Sequence, residues 1–213
     1  MRDLILFGDC KKTLCGFLPN SARTCVTSPP YYGLRDYGGQ EDQIGLEQSP
    51  EEYVQQLVEV FREVRNILTD DGTLWVNIGD GYYNYKSGTG EYAKQSFAKG
   101  RQDLPYKNPK RANKLEGYKD KDLIGAPWLF AFAMRNDGWW LRQDIIWSKP
   151  NPMPESVKDR CTKSHEYIFL FSKSRDYYFD VDSIKIPTVD NTGLKRKKSV
   201  WDVKLKPYKE AHF

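Results

Sequence analysis

Thr24-Cys25-Val26-Thr27-Ser28-Pro29-Pro30-Tyr31-Tyr32 contains a short strand and its abrupt end. Residues 24–27 read as strand. Two prolines after Ser28 cannot donate to a ladder, so the chain must leave the sheet there. Downstream, Ser49-Pro50-Glu51-Glu52 has the form of a helix start: a capping hydroxyl, a proline at the first position and acids in the first turn. Tyr53, Leu57, Val60, Phe61, Val64, Ile67 and Leu68 then recur at helical spacing, and Asp70-Asp71-Gly72 is expected to end that helix. Residues 73–78 read as a buried strand closed by Gly79-Asp80-Gly81. Strand, crossover helix and strand in this order predict a parallel α/β sheet.

The same punctuation organises the rest of the chain. Leu4-Ile5-Leu6-Phe7 is expected as a further strand, ending in Gly8-Asp9. Residues 123–137 are expected as a helix, with Pro127 near its start and Gly138 past its end. Residues 140–147 and 167–172 read as strands. The connector between them holds three prolines and is too short for a parallel crossover, so an antiparallel pair is predicted. Residues 82–122 form a long insertion without periodicity, and residues 182–207 are polar and basic.

The 213 residues suit one domain with a sizeable core, and 39% hydrophobic with 14% aromatic content excludes a disordered chain. No apolar run reaches the length of a membrane span, and the start is too short and too acidic for a signal peptide. A soluble cytoplasmic protein with no membrane partner is expected. Cys10, Cys15, Cys25 and Cys161 form no CxxC pair, and His165 and His212 are the only histidines. Zinc-ligand spacing is missing, no metal site is expected, and the cysteines are expected reduced and half-buried. The net charge is +4, but residues 86–121 carry ten basic against four acidic residues, and residues 194–210 carry seven against two. Two basic segments on an acidic body suit an anionic partner, although solvated lysine-rich loops would look the same.

The strand end at Ser28 is the candidate site, because ligands of open α/β sheets lie beyond the carboxyl ends of the strands. Ser28 offers a hydroxyl, and the stiff Pro29-Pro30 backbone fixes where the Pro29 carbonyl points. Together they can accept the two hydrogens of an NH2 group, while Tyr31 supplies a flat face for a ring. An exocyclic base amine needs such treatment, because its lone pair is delocalised into the ring. The base would have to be flipped out of a duplex to arrive there.

These residues resemble the catalytic motif, written Asp- or Ser-Pro-Pro-Tyr, of the permuted β-class DNA amino-methyltransferases that act on cytosine N4 or adenine N6. Further blocks resemble the same family in order. They are Tyr32-Gly33-Leu34-Arg35-Asp36-Tyr37, Leu74-Trp75-Val76-Asn77-Ile78-Gly79-Asp80, the run from Gly138 through Trp147-Ser148-Lys149-Pro150-Asn151, and Lys163-Ser164-His165-Glu166-Tyr167 continuing to Tyr178.

The resemblance implies an α/β fold with a Rossmann-like methyltransferase sheet. Its catalytic half would have parallel strands plus an antiparallel C-terminal pair, with the donor-binding strands absent. It implies S-adenosylmethionine as methyl donor, double-stranded DNA as partner, and catalysis by Ser28, Pro29, Pro30 and Tyr31. Asp9, Cys10, Thr27, His212 and Phe213 fall on the donor side. Arg35, Lys195, Arg196, Lys197 and Lys198 are candidate DNA contacts, within a short recognition segment at 182–209. The serine form of the motif is typical of N4-cytosine enzymes, so cytosine N4 is expected, with adenine N6 as the alternative. The family's donor motif begins His-Phe-Ala and is followed by a glycine-rich loop. The sequence reaches only His212-Phe213, so it is expected to hold the catalytic part of such an enzyme, with a non-catalytic DNA-binding fragment or a subunit of a split methyltransferase as the alternative. A complementing C-terminal chain or self-association would then cover the remaining sheet edge.

Other residues keep two readings. Asp9 is either a donor contact or a cap. Asp80 lines the pocket or caps its turn. His165 is expected as a structural histidine hydrogen-bonded beside Glu166. Trp139, Trp140 and Trp147 are expected in the core. Arg35 and Arg142 bind phosphate or pair with acids.

Overall fold

The computed structural model describes residues 3–36, 43–84, 114–190 and 192–204. Its longest helix, α2 (Pro50–Ile67), starts as the sequence predicts: Ser49 adopts extended backbone and its hydroxyl accepts from the Glu52 N–H at 3.1 Å. Tyr53, Leu57, Phe61 and Val64 lie along one face and are buried. That stripe packs on one side of a five-stranded sheet formed by β1 (Ala22–Thr27), β2 (Leu68–Ile78), β3 (Trp140–Ser148), β4 (His165–Ser172) and β7 (Val200–Asp202). The spatial order is β1-β2-β4-β3-β7. β1 and β2 are parallel, β4 runs antiparallel to both β2 and β3, and β7 is parallel to β3. The predicted parallel pair and the predicted antiparallel pair are both present.

Alternation along the strands decides what faces α2. Leu74, Val76 and Ile78 of β2 and Phe169 and Phe171 of β4 meet α2 and α3 (Ala126–Asn136), whose Phe130 and Met134 are fully buried. Phe130 meets Phe61 at 5.5 Å and stands edge-on to Phe171 at 5.9 Å. Trp139 is buried in this cluster, as expected. Trp140 is 45% exposed, a correction: its neighbours Trp139 and Leu141 face the core, so strand alternation turns Trp140 to the opposite side of the sheet.

Helix α3 begins at Gly125, which has φ +77° and no side chain to cap it. Asp80 supplies the cap from a distance. Its carboxylate accepts from the N–H groups of Gly81, Gly125 and Ala126 at 2.9–3.2 Å. Of its two readings the structure therefore gives the cap. Burial raises the Asp80 carboxyl pKa, and the Lys163 ammonium opposes that shift. Asp80→Ala leaves buried amides unpaired and is expected to lower stability by about 2 kcal/mol, read as a lower urea midpoint.

Three expectations about the elements need correction. Residues 4–7 form no strand, and Leu4 and Phe7 are 76% and 91% exposed. A strand needs a hydrogen-bonding neighbour, and none of the described strands pairs with this segment. Asp70-Asp71-Gly72 does not separate α2 from β2. The strand already begins at Leu68, and these residues bulge out where the register jumps from Ala22↔Leu68 to Thr24↔Thr73. The polar stretch after 182 is also less irregular than expected. It holds β5 (Ile186–Pro187) and β6 (Leu194–Lys195), which pair with each other, and it returns as β7 to the main sheet. Most of the 82–122 insertion lies outside the described residues. Cys10, Cys15 and Cys161 are exposed rather than half-buried, because each stands in a short helix, its cap or a loop outside the core; Cys25 is half-buried in β1.

Candidate active site

Ser28 and Tyr31 follow the carboxyl end of β1, beside the carboxyl end of its parallel neighbour β2. Thr24 and Ser28 share one face of β1 and its exit, as Thr73, Trp75 and Asn77 share one face of β2. This is the face away from α2 and α3. The loop is fixed from the helix side, where the buried Tyr53 donates its hydroxyl to the Pro30 carbonyl at 2.8 Å. It is also held by the Gly33 N–H, which donates to the Gly45 carbonyl at 2.8 Å. Gly45 has φ +103°, and a Cβ there would lie 3.1 Å from the Tyr31 carbonyl, so this contact requires glycine.

The Tyr31 ring lies against Gly79, close enough that a Cβ at that residue would sit 2.5 Å from its Cε2. Its hydroxyl is 2.9 Å from Asn77 Oδ1 and 2.8 Å from Glu166 Oε2. Burial, and then the Glu166 carboxylate, raise the Tyr31 phenol pKa far above its ordinary value, so the group stays protonated. The other oxygen of Glu166 pairs with the Lys149 ammonium. Asn77 donates its amide N–H to the Tyr167 carbonyl at 3.2 Å. The Ser28 hydroxyl lies 3.4 Å from Asn77 Oδ1 and 3.5 Å from Tyr31 Oη, and the Ser28 side is open to solvent. Lys163 donates to the Asp80 carbonyl at 2.9 Å, and burial lowers its pKa.

The structure thus brings Ser28, Pro29, Pro30 and Tyr31 into one corner and adds three residues that the sequence did not single out for the site: Asn77, Lys149 and Glu166. All three lie inside the matched sequence blocks. The contacts of Asn77 and Glu166 with Tyr31, and of Lys149 with Glu166, had no sequence signal, because the partners lie far apart in the chain, Glu166 being 135 residues from Tyr31.

The other candidates lie elsewhere. Asp9 caps α1 (Cys10–Leu14), with its carboxylate accepting from the Lys12 N–H at 2.9 Å. Asp9 and Cys10 are exposed, and Thr27 is half-buried at the last residue of β1. His212 and Phe213 lie outside the described residues. Arg35 is half-buried, and its carbonyl accepts from the Gln43 amide. Arg142 packs over the Tyr177 ring at 5.3 Å. His165 meets the Tyr167 ring edge-on at 5.4 Å, a ring contact in place of the expected hydrogen bond beside Glu166.

Lys195 belongs to β6, and Arg196, Lys197 and Lys198 follow it as exposed side chains. These three border a cavity of about 690 Å³ whose floor includes Thr73 and Trp75. Lys197 stands over the Trp201 ring at 4.4 Å. The cavity shares the sheet face of Ser28, but neither Ser28, Tyr31, Asn77 nor Glu166 lines it.

The Ser-Pro-Pro-Tyr corner at the end of a parallel strand, with its ring and hydroxyl fixed from behind, is the part of the fold that carries the resemblance to the amino-methyltransferases. Residues 22–212 match the family described as DNA methylase, the N6/N4 methylases, and the chain belongs to that family. It is 49% identical over 211 residues to the Type II methyltransferase M.Cfr9I of Citrobacter freundii, covering 97% of this chain and 66% of that protein. It is likewise 49% identical to the Type II methyltransferase M.SmaI of Serratia marcescens, covering 98% of this chain and 69% of the relative. The chain thus spans about two thirds of the length of these relatives. The PvuII DNA methyltransferase (cytosine-N4-specific) shares the fold with TM-score 0.60 and 16% identity, over 96% of this chain and 57% of that one. So does a putative DNA modification methylase of Thermus thermophilus, complexed with S-adenosyl-L-methionine, with TM-score 0.56 and 20% identity, over 93% and 66%.

Proposed function

We propose that this chain carries the base-accepting site of a Type II DNA methyltransferase that methylates the exocyclic N4 amine of a flipped cytosine. The observation that carries this reading is the corner itself: a solvent-open hydroxyl on a proline-stiffened exit, beside an aromatic ring whose hydroxyl is fixed from behind. Ser28 Oγ and the Pro29 carbonyl accept from the amine and localise its lone pair, and Tyr31 supports the ring. Serine rather than aspartate at the motif's first position favours cytosine N4 over adenine N6.

S-adenosylmethionine, when bound, supplies an activated methyl group on a sulfonium sulfur. Held by Ser28 and Pro29, the amine nitrogen would take that methyl group, and the resulting cationic amine would release one proton to water. Thr27 is the last residue of β1, and Asp9 and Cys10 are exposed at the start of α1; these three, with His212 and Phe213, are assigned to donor contact from the sequence. Duplex DNA is the partner, with Arg35, Lys195, Arg196, Lys197 and Lys198 as backbone contacts and 182–209 as the recognition segment.

Purified chain, duplex DNA of mixed sequence and methyl-labelled donor test this reading by mass spectrometry of the digested nucleosides. N4-methylcytosine is the expected product. N6-methyladenine would overturn the choice of base, and no transfer would overturn activity of the chain alone. Among the described residues no strand pairs with the outer edge of β1, which favours a second reading in which a complementing polypeptide joins at that edge. Donor binding that appears in calorimetry only after a second chain is added would support that arrangement.

Gly79→Ala is expected to cost at least about tenfold in transfer rate, because the new Cβ forces the pinned Tyr31 ring to move. Far-ultraviolet circular dichroism should show the fold retained. Unchanged turnover would contradict a fixed ring.

A further inference from the structure

We propose that Glu166, held by Lys149, sets the direction of the hydrogen bonds around Ser28, so that Ser28 presents lone pairs rather than its proton to the incoming amine. This inference rests on the methyl-transfer reading above and concerns which atoms hold the protons.

Asn77 fixes the starting point. Its side chain meets the Tyr167 carbonyl at 3.2 Å, and a carbonyl can only accept. The amide nitrogen must therefore face Tyr167, and Oδ1 must face the two hydroxyls. The Tyr31 hydroxyl has one proton and two acceptors, Asn77 Oδ1 at 2.9 Å and Glu166 Oε2 at 2.8 Å. A charged acceptor forms the stronger bond, so the proton goes to Glu166. Asn77 Oδ1 is then free for the Ser28 proton, 3.4 Å from Ser28 Oγ. With its proton turned inward, Ser28 faces the open side as an acceptor. An acceptor there welcomes an NH2 group and rejects a carbonyl oxygen, which distinguishes cytosine from thymine at the same ring position.

Lys149 supports the arrangement: its ammonium pairs with the mostly buried Glu166 and occupies the carboxylate oxygen that Tyr31 does not use. In Glu166→Gln, the amide oxygen turns to that ammonium, because the lysine can only donate. The amide nitrogen then points at Tyr31 and donates to it. Tyr31 must send its own proton to Asn77 Oδ1 at 2.9 Å, where it competes with the longer 3.4 Å bond from Ser28 and leaves the Ser28 proton freer to turn outward. Glu166 and Lys149 are positioning residues; neither needs to touch the base.

The test is a double-mutant cycle with a separate spectroscopic readout. Glu166→Gln is expected to lower kcat by about 10- to 100-fold with little change in KM. Tyr31→Phe keeps the ring and removes the competing hydroxyl, so adding Glu166→Gln to it is expected to cost less than about threefold more. Equal losses in both backgrounds, or no loss in either, would overturn the proposal. In protein labelled with tyrosine 13Cζ, the Tyr31 resonance is assigned by its disappearance in Tyr31→Phe. It is expected to shift in Glu166→Gln, and an unmoved resonance would also overturn the proposal. A wild-type chain that transfers no methyl group would defeat the functional reading, while the resonance still decides this one.

Discussion

Ser28→Ala is expected to reduce methyl transfer by about 10²- to 10³-fold while leaving duplex affinity and folding nearly unchanged. The magnitude follows from what the hydroxyl does. An aromatic amine has its lone pair spread into the ring, and a fixed acceptor helps most as the nitrogen becomes tetrahedral and cationic. The interaction therefore strengthens toward the transition state and acts on kcat. Stability should change little, because Ser28 is exposed beyond the end of β1 and its nearest polar contacts are 3.4 Å or longer. Single-turnover kinetics on a duplex bearing the site, beside equilibrium binding to the same duplex, separates the two effects. A loss confined to binding would mean that Ser28 holds DNA rather than the amine.

Much of this corner was legible because its signals are local. Two prolines after a strand mark an exit wherever they occur, and Ser49-Pro50 marks a helix start without reference to anything distant. The parallel placement of β1 and β2 followed from the helix between them, and the antiparallel β3–β4 pair from a connector too short to cross over. What the sequence withheld depends on neighbours. Residues 4–7 have a strand's composition, but strands exist only in pairs. Asp70-Asp71-Gly72 has the composition of a turn, yet the ladder resumes around it as a bulge. β7 has only three residues, too short for any period, and is a strand because β3 offers it an edge. Asp80 showed its carboxylate but not its role, which belongs to a helix start 45 residues away. The partners of Tyr31 are the extreme case: a tyrosine, an asparagine, a glutamate and a lysine on four different segments acquire meaning only when the sheet closes.

Replacing Lys195, Arg196, Lys197 and Lys198 together by glutamate is expected to weaken duplex binding by about 10³-fold or more at moderate salt, equally for all sequences. Each phosphate contact contributes about 0.9 to the slope of log affinity against log salt, so four independent contacts would remove about 3.6. The structure argues for less. Arg196, Lys197 and Lys198 are exposed at the cavity rim, whereas Lys195 is half-buried in β6 and paired in a ladder with Ile186. A slope reduced by about 2.7 is therefore the expected figure, with Lys195 contributing least when the four are changed singly. Lys197 has a further anchor, since its ammonium rests over Trp201, and Trp201→Ala should weaken binding by loosening that charge. The sequence preference of methylation should survive all of these changes, because phosphate contacts carry no base information. A slope that does not move would remove this segment from the DNA interface. It would leave Arg35 and the basic insertion within 82–122 as the remaining sources of backbone contacts.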